Sequence, residues 1–374
     1  MKRFLIIILV FCILILVAAV SVKPLAISIA KKQLGSVFAE SRVLIGGASL
    51  RPARGLTLFE IELERKGVYK IKLKEAGIRY SLFSLIKRKP FKFLLSGIDV
   101  HVNAPKTKVV ELSRYFNLPK GGPSIFGPVE VKDLNIDLNT QDLDLKAVIN
   151  CDADLIRQSI EYFDLKMAHF SMFGVSLENG SFGFGSKLNQ GKANVQMAKY
   201  NKLSITDIRG KIKLEDKTLS LYEISAKILD GEIQGDAKLS LGADFDYQIK
   251  LNCVSLDTAG FVREFEMRDK FEMTGKLNGR FELEGRNADI KNLMGDFSAL
   301  TPGGTLVIKD EKMLENMAKS TKQPVDILVE SFKNYHYNTG LMSLGLRDGN
   351  IIFKVNLEGE AGKRDLEVVM HGLF

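Results

Sequence analysis

The sequence predicts a mainly β protein in which a membrane-spanning helix precedes a long antiparallel sheet carrying a few short helices. Three observations lead there. Residues 4–22 form an uncharged apolar run. From Val43 onward, apolar and polar residues alternate with a period of two. Short turn signals separate the alternating segments, and connections that short join antiparallel neighbours rather than βαβ crossovers.

The amino terminus comes first. Phe4 to Val22 reads FLIIILVFCILILVAAVSV, with Lys2 and Arg3 before it and Lys23-Pro24 after it. As a helix this run spans roughly 28 Å, close to the hydrocarbon thickness of a bilayer. It is a signal peptide or an uncleaved anchor. The length of the run and the mediocre cleavage site at Ala18-Ala19-Val20-Ser21 favour the anchor. Flanking basic residues are balanced, but long following domains translocate largely regardless of charge, so the body is expected outside the cytoplasm.

Residues 23–41 follow as an amphipathic helix, with Ile27, Ala30, Leu34, Val37 and Phe38 on one face. It lies on the membrane surface or plugs the end of a β structure. Strict alternation then marks strands at Lys70–Lys74, Leu134–Leu138, Lys211–Leu214, Leu219–Leu221, Ala237–Leu241, Ile249–Cys253, Phe281–Glu284, Phe353–Glu358 and Leu366–Val368. Leu229-Asp230-Gly231 and Arg347-Asp348-Gly349-Asn350 read as tight turns. Helical patterns interrupt the strands at 81–87, 106–116, 311–319 and 325–332. Residues 153–163 fit either a helix or a bent strand. Gly180 to Gly185, GSFGFG, is glycine-rich but has no lysine or helix start, so it reads as strand or bulge. The expected organisation is an anchor (1–22), a helix (23–41), a first β region (42–200), a second (201–310), and a closing segment of helices and strands (311–374).

The 374 residues carry 53 basic and 45 acidic side chains, a net charge of +8. Residues 65–92 hold ten basic residues and one acid, so the remainder is nearly neutral. A nucleic-acid binder would spread its charge differently, and none is expected as a partner. Cys151 and Cys253 are either a disulfide or, more in keeping with their spacing, two separate thiols on strands. The four histidines are scattered without metal-ligand spacing, and no nucleophile or phosphate-loop motif occurs. The sequence therefore points away from an enzyme and implies no cofactor or metal.

One-faced apolar strands in a long meander can pack as a sandwich, close into a membrane barrel, or curl into an open groove. The barrel is disfavoured by the leading apolar helix and by the lack of tryptophan for an interfacial girdle. Two stretches bear on the choice between sandwich and groove. Residues 43–102 carry Gly46, Gly47, Gly55, Leu56, Leu58, Ile61, Tyr80, Ser81, Leu82, Ser84, Leu85, Ile98, Asp99 and Val100 in order behind the anchor. Residues 203–308 carry Gly210-Lys211-Ile212, Leu229-Asp230-Gly231, Ile233-Gln234-Gly235, Gly275-Lys276-Leu277, Leu283-Glu284-Gly285 and Gly304-Thr305-Leu306. This order resembles the AsmA-like family, which includes the TamB and YdbH groups. Residues 325–371 resemble the ending of YdbH-like members, and residues 103–200 match least.

The resemblance implies an inner-membrane protein of a diderm envelope, with its body in the periplasm. The fold it implies is a curled, taco-like β groove similar to that of chorein-type bridge proteins, with phospholipids as the ligand moved or shielded between the inner and outer membranes. A phospholipid carries roughly 30 acyl methylenes, so exposing them to water would cost about 24 kcal/mol, and the groove wall must be continuous. Candidate wall residues are Ile212, Leu214, Leu219, Leu221, Ile249, Leu251, Phe281, Leu283, Val355 and Leu357. Lys70, Lys72, Lys74, Lys87, Arg88 and Lys89 are candidates for head-group contact or a solvated strand face. A chain this short is expected to need self-association or an outer-membrane partner. The alternative function is a structural or assembly factor for outer-membrane proteins that conducts no lipid.

Overall fold

The computed structural model describes residues 23–38, 40–51, 55–79, 91–109, 111, 126–154, 159–172, 174–185, 190–200, 202–215, 218–240, 245–287, 289–321 and 324–370. The apolar run, the predicted helix at 81–87, most of 106–116, and Lys87, Arg88 and Lys89 lie outside the described residues. Among the described residues no helix is long and apolar enough to cross a membrane.

The alternating segments form strands as the pattern dictates. The first group is β1 (Arg42–Arg51), β2 (Gly55–Arg65), β3 (Tyr69–Arg79), β4 (Phe91–Ala104), β5 (Phe126–Thr140), β6 (Leu143–Asp154) and β7 (Ser159–Met172). Then come β8 (Val175–Gly185), β9 (Gln190–Tyr200), β10 (Leu203–Glu215), β11 (Thr218–Ile228), β12 (Gly231–Ser240) and β13 (Asp246–Asp257). The remainder are β14 (Phe271–Met273), β15 (Lys276–Arg286), β16 (Asp289–Ala299), β17 (Gly304–Ile308), β18 (Tyr335–Tyr337), β19 (Thr339–Arg347), β20 (Asn350–Gly359) and β21 (Gly362–Met370). The helices are α1 (23–37), α2 (Thr258–Glu264), α3 (Glu311–Thr321) and α4 (Val325–Phe332). The protein is thus mainly β with few helices. Residues 180–185 are strand, and β6 and β7 run extended up to Asp154 and from Ser159, so no helix forms at either end of 153–163.

The chain divides into two compact units. The first holds Met1–Phe173 and Gly180–Leu188, the second Gly174–Asn179 and Asn189–Phe374. In the first, β1 to β4 form an antiparallel meander, and β5, β6 and β7 form another. The two meet in a parallel pair, β4 with β5. Short hairpins throughout were the expectation. The 21 residues from 105 to 125 explain the departure, since a parallel neighbour needs a connection of about a dozen residues or more. On α1 the predicted face is the less exposed one: Ile27, Ala30, Leu34, Val37 and Phe38 are half-buried, as is Ala26. Phe38 and Val109 pack on Tyr69, Val102 and Ala104, closing one end of the apolar face.

In the second unit the antiparallel order is β9, β10, β11, β12, β13, β15, β16, β19, β20, β21. Both predicted tight turns are present. Leu229 and Asp230 have φ of 48° and 55°, and Asp348 and Gly349 have 51° and 74°, the left-handed pair that matches strand twist in a two-residue hairpin. β14, β17 and β18 make a small second sheet. With α3 and α4 it packs on β20, burying Phe332, Tyr335 and Tyr337 to 1% exposure. α2 has no counterpart in the sequence reading. Asp257 caps it, accepting from the backbone of Ala259 and Gly260.

The strands also share a local irregularity. Glu60, Asp133, Asp207, Glu223 and Ser255 have φ between 51° and 55°, and Gly97 has 61°. In the first unit these positions fall in one transverse line, with Gly97 of β4 flanked in register by Asp133 of β5 and Lys74 of β3. The next strand satisfies the displaced amide in three cases. Asn150 Oδ1 accepts from Asp133, Asp236 Oδ1 from Glu223 and Asn278 Oδ1 from Ser255, at 2.8, 3.1 and 2.8 Å. At Asp133, Asp207, Glu223 and Ser255 the register to the next strand shifts, so these four are β-bulges, which bend and twist the strands they interrupt.

Candidate functional site

Register partners in a sheet present their side chains to the same face, so the pairing shows where each predicted wall residue lies. Ile212, Leu221, Ala237, Ile249, Leu283 and Leu293 form one transverse row from β10 to β16. Leu214, Leu219, Leu239 and Tyr247 form the row on one side of it. Gly235, Leu251, Phe281, Gly295, Leu344, Phe353 and Val368 form the row on the other. Beyond that lie Ile233, Cys253, Gly279, Phe297, Met342, Val355 and Leu366, and then Gly340, Leu357 and Arg364. All ten predicted residues therefore share one face of the second unit.

That face is unevenly covered. Ile212 and Leu357 are 3% exposed, whereas Leu214, Leu219, Leu221, Ile249, Leu251, Phe281, Leu283 and Val355 are only half-buried. Side chains facing a second layer in a sandwich lose nearly all their exposure. Where the face is covered, the protein supplies the cover itself. Ala226, Ile233, Cys253, Leu256, Leu277 and Phe297 make a closed cluster, against which Leu251 and Phe281 rest. Burial there pushes the Cys253 thiol up to about 11. Phe261 of α2 lies edge-on to Phe353, ring centres 5.7 Å apart, and 4.6 Å from Phe265. The sequence reading missed this cover, although Thr-Ala-Gly-Phe-Val-Arg-Glu-Phe after a capping Asp257 carries its signal.

The first unit has a matching face that the wall list omitted. Ile45, Ile61, Leu73, Ile98, Leu134, Ile149 and Leu165 line up across seven strands. All but Ile61 are half-buried. The residues one step along point the other way and are mostly polar: Glu62, Lys72, Asp99, Asn135 and Lys166 share a row.

Of the basic window, Lys70 and Lys72 lie on that polar face. Lys70 pairs with Glu62 at 2.7 Å, and this bond raises the lysine pKa and lowers that of the carboxyl. Lys72 stands in register between Glu62 and Asp99. Lys74 stands beside Gly97 in the line of positive-φ residues, and the missing Cβ of that glycine would meet Lys74 Cβ at 2.8 Å. The cross-strand acids dilute the charge that looked concentrated along the chain. Lys92 and Lys132 both donate to Glu130, at 2.9 and 2.6 Å, and hold its carboxyl at about 2, Lys132 contributing most.

Cys151 on β6 and Cys253 on β13 are thiols. His101 and His169 face Asp137 and Asp144 at 3.4 and 4.0 Å on the polar side. Among the described residues no group of three or more histidine, cysteine or acidic side chains is placed to hold a metal ion. Comparison of the chain with protein-family models, with curated proteins and with solved structures finds no match.

Proposed function

We propose that this chain is a non-enzymatic lipid carrier of a diderm envelope. It would be anchored in the inner membrane through residues 4–22, with its β body in the periplasm. The apolar faces would act as a groove that shields phospholipid acyl chains between the inner and outer membranes, as the resemblance to AsmA-like proteins implies. The carrying observation is the placement of Leu214, Leu219, Leu221, Ile249, Leu251, Phe281 and Leu283 in neighbouring rows of one face, half-buried, backed by a polar face. A row of half-covered Leu and Ile side chains is the surface an acyl chain needs, because each methylene it buries is worth about 0.8 kcal/mol. A cover such as α2, with Phe261 on Phe353, would have to shift or be passed by a moving lipid.

The test is extraction of the full chain with organic solvent, followed by quantification of the lipid. Near-stoichiometric phospholipid is expected. Leu221→Asp and Phe281→Asp should each lose most of it while keeping the thermal midpoint within a few degrees. Unfolding by both changes would place these residues in a closed core. Protein partners captured by cross-linking, with little bound lipid, would favour the assembly-factor role instead.

A further inference from the structure

Along β12 and β13 the apolar face of the second unit passes from half-buried to buried. Ala237, Ile249 and Leu251 keep part of their exposure, whereas Ile233 and Cys253, one row further, are 5% and 6% exposed. The chain then leaves β13 as α2. Phe261 of α2 lies against Phe353, which shares a row with Leu251 and Phe281. In sheet order β13 and β20 are four steps apart, about 19 Å in all at the usual strand spacing. α2 and its phenylalanine therefore reach over the face, from the end of one strand to the middle of another.

α2 is held at both ends. Asp257 caps its start, and Thr258 donates through Oγ1 to the Gly275 carbonyl at 3.0 Å. Val262 is 3% exposed. Arg263 pairs with Asp230 at 3.4 Å and Glu266 with Lys202, on the turns that lead into β12 and β10. Exposed pairs add little energy, but the cap and the buried valine make α2 a fixed bar. Phe261 and Phe265, their ring centres 4.6 Å apart, both stay half-buried, so the bar keeps aromatic surface that the protein does not cover. The far end of β15 is polar, with Arg286 paired to Asp246 at 2.6 Å. From there Leu283 and Phe281 lead, half-buried, to the row of Leu344 and Phe353, where Phe261 stands. An oily stretch with a wet end and an aromatic end has a definite length.

We propose that Phe261 is the stop for an acyl chain, which lies over Leu283 and Phe281 and ends with its terminal methyl against Phe261 and Phe353. This rests on the lipid-carrying function proposed above and adds a length limit to it. The test offers the full chain, in detergent, dioleoyl-phosphatidylcholine vesicles doped equally with saturated phosphatidylcholines from dilauroyl to diarachidoyl. Bound lipid is then counted by mass spectrometry. Retention should rise with chain length and then fall by about tenfold at one step, the scale of a chain that leaves two methylenes in water. Phe261→Ala should move that step to the next longer lipid and Phe261→Trp to the next shorter. A second measurement needs no variant and decides if neither folds. A phosphatidylcholine with a diazirine on the last carbon of one chain should, on irradiation, label Phe261, Phe265 or Phe353 of the wild type. A series without a step, folded variants that leave the step in place, or labelling confined to other residues overturns the assignment and leaves the carrier function standing. A wild type that takes up none of these lipids overturns both.

Discussion

At the scale of single residues, exposure separates side chains that the alternating pattern treats alike. Ile212 and Leu221 are register partners on the same face, but Ile212 is 3% exposed and Leu221 half-buried. Ile212→Ala should cost about 2–4 kcal/mol in denaturant unfolding and Leu221→Ala about 1, because only the first leaves a cavity in packed surroundings. Equal costs would mean that both sit in the same closed core. Glu130 gives a pH prediction. Lys132 and Lys92 bring its carboxyl from 4.5 to about 2, so its contribution to stability is complete above pH 4.5. It is lost as pH falls from 4.5 towards 2. Glu130→Gln should lower the thermal midpoint at pH 7 by an amount equivalent to about 1 kcal/mol and flatten that acid limb. An unchanged acid limb would show that the two lysines do not hold the carboxylate in solution.

At the scale of elements, the bulges are the informative feature. Ser255 donates its amide to the Asn278 side chain on the next strand, in place of a ladder bond. Asn278→Ala should cost about 1–2 kcal/mol, and hydrogen exchange should speed up at Ser255 while the amides of Ile249 and Leu251 stay protected. Gly97, at φ 61° with Lys74 Cβ 2.8 Å from where a methyl would stand, should tolerate alanine only at a cost of about 1–3 kcal/mol. Much of this level was legible in the sequence. The alternation gave the strands and the sidedness of all ten wall residues, the Leu-Asp-Gly and Asp-Gly-Asn signals gave two turns, and the face of α1 followed from its period. The parallel pair of β4 and β5 was not legible, because alternation carries no information about strand direction. α2 was overlooked because its seven residues are too few for a helical period to stand out beside the strands.

At the scale of the whole molecule, the faces matter more than any one side chain. If acyl chains occupy them, lipid is part of the folded state and stabilises it by mass action. The full chain stripped of lipid should melt several degrees lower than the chain as purified, and phospholipid vesicles should restore the midpoint. Equal midpoints would mean that the faces are covered by protein alone. The sequence could not settle this question, because an open wall and a sandwich interior share one alternating pattern. The exposure of particular residues such as Leu219 and Leu283 bears on the choice, and it depends on what the remainder of the chain places overhead. Charge neighbours were hidden for a similar reason: Lys70 and Lys72 crowd together along the chain, but Glu62 and Asp99 stand beside them only after strands pair.

The bulges bear on how such a chain avoids misassembly. A strand that merely alternates can slide two places along its neighbour and still keep its oily side inward, so sidedness by itself tolerates many wrong pairings. In the first unit Lys74, Gly97 and Asp133 are matched from strand to strand. A two-place slip would set a kink against straight backbone and leave the Asp133 amide away from Asn150. The interruptions thus work as alignment pegs, letting a repetitive sequence choose one pairing out of several that greasiness alone would permit.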